Sequence, residues 1–249
     1  AGNLGIELVA RSRADGHTLL YAPTSLAINP FITTGAVDPV REFSPVSMAS
    51  RSWLVLLVRA DLPASSAAEL VALARARPGR LTCGTAGGLP QLGYALFGAM
   101  AGASIIDVPY KGMGPAIADV AAGHIDMLFG VGSSSLPHMQ SGRVRALAIT
   151  DARRRPGWAE GLPTLSETLP GYVLNGWDGL LAPAATPPEI VARLGREMAA
   201  VVAEPAVRAR LVDMALEPVG STPAEFAAVI ARDYQRFGKL AEQAGIRPQ

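Results

Sequence analysis

The chain has 249 residues, 49% of them hydrophobic, which is enough to bury a substantial core in one large domain or two smaller ones. A net charge of +1 supplies no basic face of the kind that holds nucleic-acid phosphates, and a single cysteine excludes an intrachain disulfide and leaves a cysteine-ligated metal site without its other ligands. No apolar run approaches the roughly 18 residues that a bilayer-spanning helix needs.

In chain order, Asn3 caps a helix through about residue 13 that Asp15-Gly16 ends, and residues 18–22 read as a buried strand. A loop from Pro23 to Pro30 and a turn at Asp38-Pro39 lead into residues 46–59, a run of strand formers long enough to cross from one sheet to another. Ser66-Ala67-Ala68-Glu69 is a capping box opening a helix that Pro78-Gly79 stops. Strand, glycine-bearing loop and helix then repeat: 80–84 with 90–103, 105–109 with 115–122, and 125–129 with 134–140, closed by a strand at 144–150. Such alternation predicts a parallel sheet covered on both faces. Residues 172–181 form a second long extended run. Beyond it, Thr186-Pro187-Pro188-Glu189 and Thr222-Pro223-Ala224-Glu225 each place Thr at a cap and Pro at the first helical position. They predict helices over 187–203 and 223–245, with a shorter helix near 206–214 and a brief strand at 217–219. If both extended runs are crossovers, residues 1–52 and 171–249 form one α/β lobe and 53–170 the other, with two strands as the hinge.

Three stretches run from an apolar segment into small or hydroxylated residues: Tyr21-Ala22-Pro23-Thr24-Ser25, Thr85-Ala86-Gly87-Gly88 and Gly130-Val131-Gly132-Ser133-Ser134. Glycines let backbone approach a ligand, a following helix start offers unpaired N–H donors, and ligands of open α/β sheets lie just beyond strand ends. An ordinary strand-to-helix turn has the same composition. Among the alternatives, acyl transfer lacks its Gly-Xaa-Ser-Xaa-Gly elbow, and Gly112-Met113-Gly114-Pro115-Ala116-Ile117 lacks the third glycine of a dinucleotide fingerprint. His17, His124 and His138 form no metal-ligand spacing, so no metal and no cofactor are assigned. Asp107 and Asp126 in apolar strands, and Lys111 after one, are the acid–base candidates of an enzyme reading; partnered structural carboxylates are the plainer account. Trp177-Asp178 lies in the second crossover, where an apolar plug competes with a ligand contact.

An ordered set of segments resembles one known family. It includes Gly2-Asn3-Leu4-Gly5, Asp15-Gly16-His17-Thr18-Leu19-Leu20, Ala27-Ile28-Asn29-Pro30, Phe43-Ser44-Pro45-Val46 and Val108-Pro109-Tyr110-Lys111-Gly112. Leu136-Pro137-His138, Gly142-Arg143-Val144-Arg145-Ala146-Leu147-Ala148, Gly179-Leu180-Leu181-Ala182-Pro183 and Glu217-Pro218-Val219-Gly220 continue it along the chain. The chain is similar to the periplasmic solute receptors of tripartite tricarboxylate transporters, the TctC or Bug group. The resemblance implies a two-lobed Venus flytrap of the type II periplasmic-binding-protein kind with two crossover strands. It also implies periplasmic location, a monomer, no catalysis, and a small organic carboxylate or similar solute passed to a membrane permease. By position it points to Thr24, Ser25 and Ala27 in one lobe, and to Thr85, Ala86, Gly87, Gly88, Gly130, Val131, Ser133 and Ser134 in the other, as ligand contacts. It further implies an opening strand and a proline-glycine-glycine loop ahead of Gly2. Leu89-Pro90-Gln91 and Gly130 depart from the usual residues and point to a bulkier or less polar solute. An effector-sensing module of a signalling system, and an enzyme using Asp107, Asp126 or Lys111, are the alternative readings.

Overall fold

The computed structural model describes residues 2–243 and 245–246. Its elements run α1 (Asn3–Ala10), β1 (Leu20–Pro23), α2 (Ser25–Ile32), β2 (Phe43–Arg59), α3 (Ala67–Ala76), β3 (Thr82–Thr85), α4 (Gly88–Ala101), β4 (Ile106–Pro109), α5 (Met113–Ala122), β5 (Met127–Val131), α6 (Gly132–Gln140), β6 (Val144–Ile149), β7 (Asn175–Pro183), α7 (Pro188–Ala203), α8 (Pro205–Asp213), β8 (Glu217–Pro218) and α9 (Pro223–Gln243). The chain divides into two compact α/β units, Ala1–Ser52 with Gly176–Gln249, and Trp53–Asn175.

In the second unit the strand order is β4-β3-β5-β2-β6, with β3 parallel to β4 and β5, and β2 antiparallel to β5 and β6. The sheet is therefore mixed, where the strand–helix alternation predicted a purely parallel one. Alternation reports only strands joined by crossover helices, and β2 enters ahead of that series and runs against it. Its residues Trp53 to Val58 are all buried, as a central strand with two covered faces requires. On one face α5 packs Ala116, Ile117 and Val120 against Val55, Leu57 and Leu128. On the other, α4 lies so close that a Cβ at Gly93 would sit 3.2 Å from the Phe129 ring and 3.3 Å from Leu54. The Tyr172 hydroxyl fastens the helix there by donating to the Gly93 carbonyl at 2.6 Å.

In the first unit β1 pairs antiparallel with β7, β7 lies beside β2, and β8 pairs antiparallel with β2 at Ser50 and Arg51. Helix α9 buries Phe226 edge-on against Trp177, with ring centroids 5.0 Å apart, and Phe31 of α2 meets Tyr234 of α9 at 4.9 Å.

Several local expectations change. Asn3 is not the cap of α1: Gly2, left-handed at φ 91°, holds that position, and Asn3 Oδ1 accepts from Asn29 at 2.7 Å. The helix also stops at Ala10. The stretch from Pro23 to Pro30 is mostly helix, because Leu26, Ala27, Ile28 and Asn29 are all buried and packing outweighs the internal Pro30. Thr186 does not cap α7; Pro187 holds the cap position and the Thr186 hydroxyl is buried with no hydrogen-bond partner among the described residues. At α3 the Ser66 hydroxyl accepts from the Glu69 N–H as expected, but the Glu69 carboxylate reaches back to Ser65 instead of Ser66. The second extended run is strand only from Asn175; α9 runs to Gln243, and residue 244 of its expected span lies outside the described residues.

Candidate functional site

The second unit brings the ends of β3 and β5 side by side, since Cys83 pairs with Met127 and Gly84 with Leu128 in parallel register. From there β3 leads through α4 outward to β4, while β5 leads through α6 past β2 to β6. Neighbouring strands whose connections depart in opposite directions leave a crevice at their carboxyl ends, the usual ligand position of such sheets.

Both loops at that crevice end in helix starts without a side-chain cap. Helix α4 begins at Gly88, two residues before the Pro90 start expected from the sequence, so the glycines themselves form its first turn. Gly87 (φ 71°, ψ 177°) and Gly88 (φ 57°) occupy backbone regions that side chains disfavour, which explains the glycine pair. The orphan N–H groups of the first turn and the positive end of the helix dipole suit an anion. Thr85, 2% exposed, donates its hydroxyl to Asp107 Oδ1 at 2.6 Å, so its proton faces a protein carboxylate. Ala86 is half-buried beside it.

At the second loop Val131 is the cap residue of α6, and the hydroxyls of Ser134 and Ser135 turn back to its carbonyl at 3.1 and 2.7 Å. Ser133 is exposed. Gly130 lies within β5, not in the loop, and is buried; a Cβ there would fall 2.2 Å from Ser135 Oγ. Whatever Gly130 gives a ligand passes through its backbone or through the room it leaves for Ser135.

The first unit carries the third predicted stretch. Thr24 and Trp177 are joined by a backbone bond of 2.8 Å, by the Thr24 hydroxyl donating to the Trp177 carbonyl at 3.0 Å, and by the Trp177 N–H donating back to that hydroxyl. Thr24 therefore fixes the strand end. Ser25 opens α2 half-buried, and α2 also lacks a side-chain cap. The Ala27 N–H donates to the Thr24 carbonyl at 2.9 Å, and Ala27 is fully buried.

The acid–base candidates separate. Asp126 accepts from the Thr82 N–H and hydroxyl at 2.9 and 3.0 Å and from Arg59 Nε at 2.9 Å, a partnered structural carboxylate. Lys111 is exposed at the entry to α5. Next to it, burial and a 2.6 Å bond to Asp119 push the Tyr110 phenol up to about 12, keeping it a neutral donor. His124 Nδ1 lies 3.2 Å from Asp119, away from the other two histidines in sequence and bonding. Among the described residues no three His, Cys, Asp or Glu side chains converge as a metal site.

One residue, Thr150, escaped sequence reading, and Asp178, singled out there with Trp177, acquires its setting only in the fold. Thr150 accepts the Leu54 N–H at 2.9 Å and donates to the Leu174 carbonyl at 2.6 Å, tying β2 to the chain before β7 inside the second unit. Asp178, half-buried beside the Thr24 loop, is pushed above the ordinary carboxylate range by burial, against the lowering effect of Ser50. No sequence signal marks Thr150. For Asp178 the charge within an apolar run was the available sign.

The model of the family described as "Tripartite tricarboxylate transporter family receptor", TctC, matches residues 1–246. A curated relative, the UPF0065 protein in the tcbD-tcbE intergenic region of Pseudomonas sp. (strain P51), is 34% identical over 96% of this chain and 72% of its own length. Among solved structures, R. palustris Rpa4515 with adipate superposes with a TM-score of 0.92 at 33% identity, covering 100% of this chain and 84% of that one. MatC from Rhodopseudomonas palustris with bound malate gives 0.84 at 26% identity, covering 96% and 84%. The family is one of solute-binding receptors, not enzymes. On this fold, and with a family match along nearly its whole length, the chain belongs to the TctC family of periplasmic solute receptors.

Proposed function

We propose that this protein is the receptor of a tripartite tricarboxylate transporter, binding a small organic carboxylate in the periplasm and delivering it, as a monomer, to the membrane permease. The observation that supports this most is the pairing of two uncapped helix starts, α4 at Gly88 and α6 at Gly132, on adjacent strand ends. Two orphan N–H sets beside each other stabilise a carboxylate by charge-assisted hydrogen bonds, without a lysine or arginine in either loop. Thr85, Ala86, Gly87 and Gly88 with Gly130, Val131, Ser133 and Ser134 line this donor set; of the residues expected on the first unit, Ser25 at the start of α2 is the donor, while Thr24 and Ala27, whose N–H groups are bonded to Trp177 and Thr24, shape the turn that presents it. The adipate and malate of the two related structures set the size and charge class to try first.

Native mass spectrometry of gently purified protein, followed by calorimetry against mono-, di- and tricarboxylates, tests the reading. A retained small acid, or saturable binding of one, supports it. A protein that retains no solute and binds none of the acids would overturn it.

A further inference from the structure

One corner of the second unit carries charge of a single sign. From Leu70 to Ile106 the chain holds three arginines, Arg75, Arg77 and Arg80, and no aspartate, glutamate or lysine. The whole chain is only +1, so the remainder is net negative and charge is segregated. All three arginines are exposed, and none has an ion pair among the described residues. The carboxylates flanking the stretch are engaged elsewhere: Glu69 accepts from Ser65 at 2.7 and 2.8 Å, and Asp107 from the Thr85 hydroxyl at 2.6 Å.

The corner is held in place by the backbone. Arg75 Nε donates to the Ala101 carbonyl at the end of α4 at 2.7 Å, the Gly79 N–H to the Ser104 carbonyl at 2.8 Å, and the Ile106 N–H to the Leu81 carbonyl at 2.8 Å. Arg75 thereby closes α4 at its negative end, a structural task that explains it. Arg77 and Arg80 make no side-chain hydrogen bond among the described residues. The same bonds set Ile106, 46% exposed, beside their turn. Arginines around an exposed apolar residue on a fixed backbone have the make-up of a protein interface, and little ordering cost attends association there. Guanidinium forks match carboxylates, while three of them fall short of the roughly six to ten phosphate contacts that hold a protein on nucleic acid. Strand β4, which carries Ile106, is the terminal strand of this unit's sheet, and such an edge offers N–H and C=O groups that a polypeptide can pair with and a lipid surface cannot.

We infer that this corner is a docking surface for an acidic segment of a protein partner, which on the receptor reading above is the membrane permease. It lies at the amino ends of β3 and β4, away from the crevice at the carboxyl ends of β3 and β5, so a partner seated on it leaves that crevice clear.

The test titrates fluorescent poly-L-glutamate at low salt into wild type, into Arg77→Gln with Arg80→Gln, and into Arg208→Gln with Arg210→Gln. Arg208 and Arg210 are equally exposed but flanked by Glu204 and Asp213, so both variants lose the same charge and differ only in where they lose it. Wild type and the α8 variant should bind alike, and the Arg77/Arg80 variant roughly tenfold or more weaker. In about 1 M salt, where the Debye length is about 3 Å, the difference should vanish. Thermal melts confirm that both variants fold. No binding by wild type, unchanged binding by the Arg77/Arg80 variant, or equal weakening in both variants would overturn the inference. Vesicles of phosphatidylglycerol in phosphatidylcholine run alongside; if wild type prefers them to polyglutamate, the corner faces a membrane surface and the protein-docking inference fails. Calorimetry of the carboxylate solutes with the same proteins keeps the two readings apart. Solute binding should be unchanged in the Arg77/Arg80 variant, and a wild type that binds no solute yet binds polyglutamate would overturn the receptor reading alone.

Discussion

The Thr85 hydroxyl donates to Asp107 Oδ1 at 2.6 Å across the parallel pair β3 and β4, so the residue that opens the glycine loop is tethered to a carboxylate of the neighbouring strand. Thr85→Val should keep the shape and lose the tether. Asp107 is exposed and rehydrates, so the expected stability loss is about 1 kcal/mol, read from urea unfolding. Thr85→Asp places two carboxylates together at an anion-binding loop and should abolish binding of whichever carboxylate the wild type takes. Unchanged calorimetric affinity in Thr85→Asp would remove this loop from the site.

Gly130 is explained by what surrounds its missing side chain: Ser135 Oγ at 2.2 Å and the Leu128 and Leu57 methyls at 3.1 and 3.2 Å. Gly130→Ala forces Ser135 off the Val131 carbonyl and disturbs the start of α6. A cost of about 1–3 kcal/mol is expected for such overpacking. Gly130→Ala with Ser135→Ala should recover part of it, and equal melting of the single and double variants would refute the steric account.

Thr150 serves two buried backbone groups at once, the Leu54 N–H and the Leu174 carbonyl. Thr150→Val is close in shape but leaves both unsatisfied. Summing one lost partner for each gives roughly 2–4 kcal/mol of destabilisation. Chemical denaturation measures it, and a loss under about 0.5 kcal/mol, the scale of an ordinary surface change, would contradict the bond assignment.

Asp178 gives a pH-dependent result. Burial holds its folded-state pKa above the ordinary 3.8, so the folded state binds the proton more tightly than the unfolded chain. That contribution to stability is complete below the unfolded pKa and is lost as pH rises through the folded value. Near neutral pH the ionised group disfavours folding, and Asp178→Asn should then raise the melting temperature without ligand. Below the unfolded pKa, where the wild-type carboxyl is already protonated, the difference should vanish. Parallel melts at the two pH values decide it; an equal shift in both would mean that charge is not the cause.

At α7 the buried Thr186 hydroxyl has no hydrogen-bond partner among the described residues and does not cap the helix. Thr186→Val removes an unsatisfied polar atom at nearly constant shape and should be neutral or stabilising by up to about 1 kcal/mol. A clear loss of stability would show that the hydroxyl is bonded in solution.

Sequence alone determined the alternation of strands and helices, because hydrophobic periodicity and stop residues are local properties. The cap at Thr222, whose hydroxyl accepts from Glu225 N–H while the Glu225 carboxylate takes the Thr222 N–H at 2.9 Å, is of this kind. So are the glycine loops, since the left-handed conformations of Gly87 and Gly88 are a chain-local demand. What only the tertiary structure decided depends on partners distant along the chain. The helix at Ser25–Ile32 forms in spite of Pro30 because four consecutive residues are buried there. The direction of β2 against β5 and β6 rests on pairings with residues about 70 or more positions away, Leu54 with Val131 among them. Thr85 and Asp107, Thr150 with Leu54 and Leu174, and Asp178 beside the Thr24 loop are juxtapositions of the same kind. No local pattern marks them, because the free energy that selects them comes from burial and from hydrogen bonds closed only when distant segments meet.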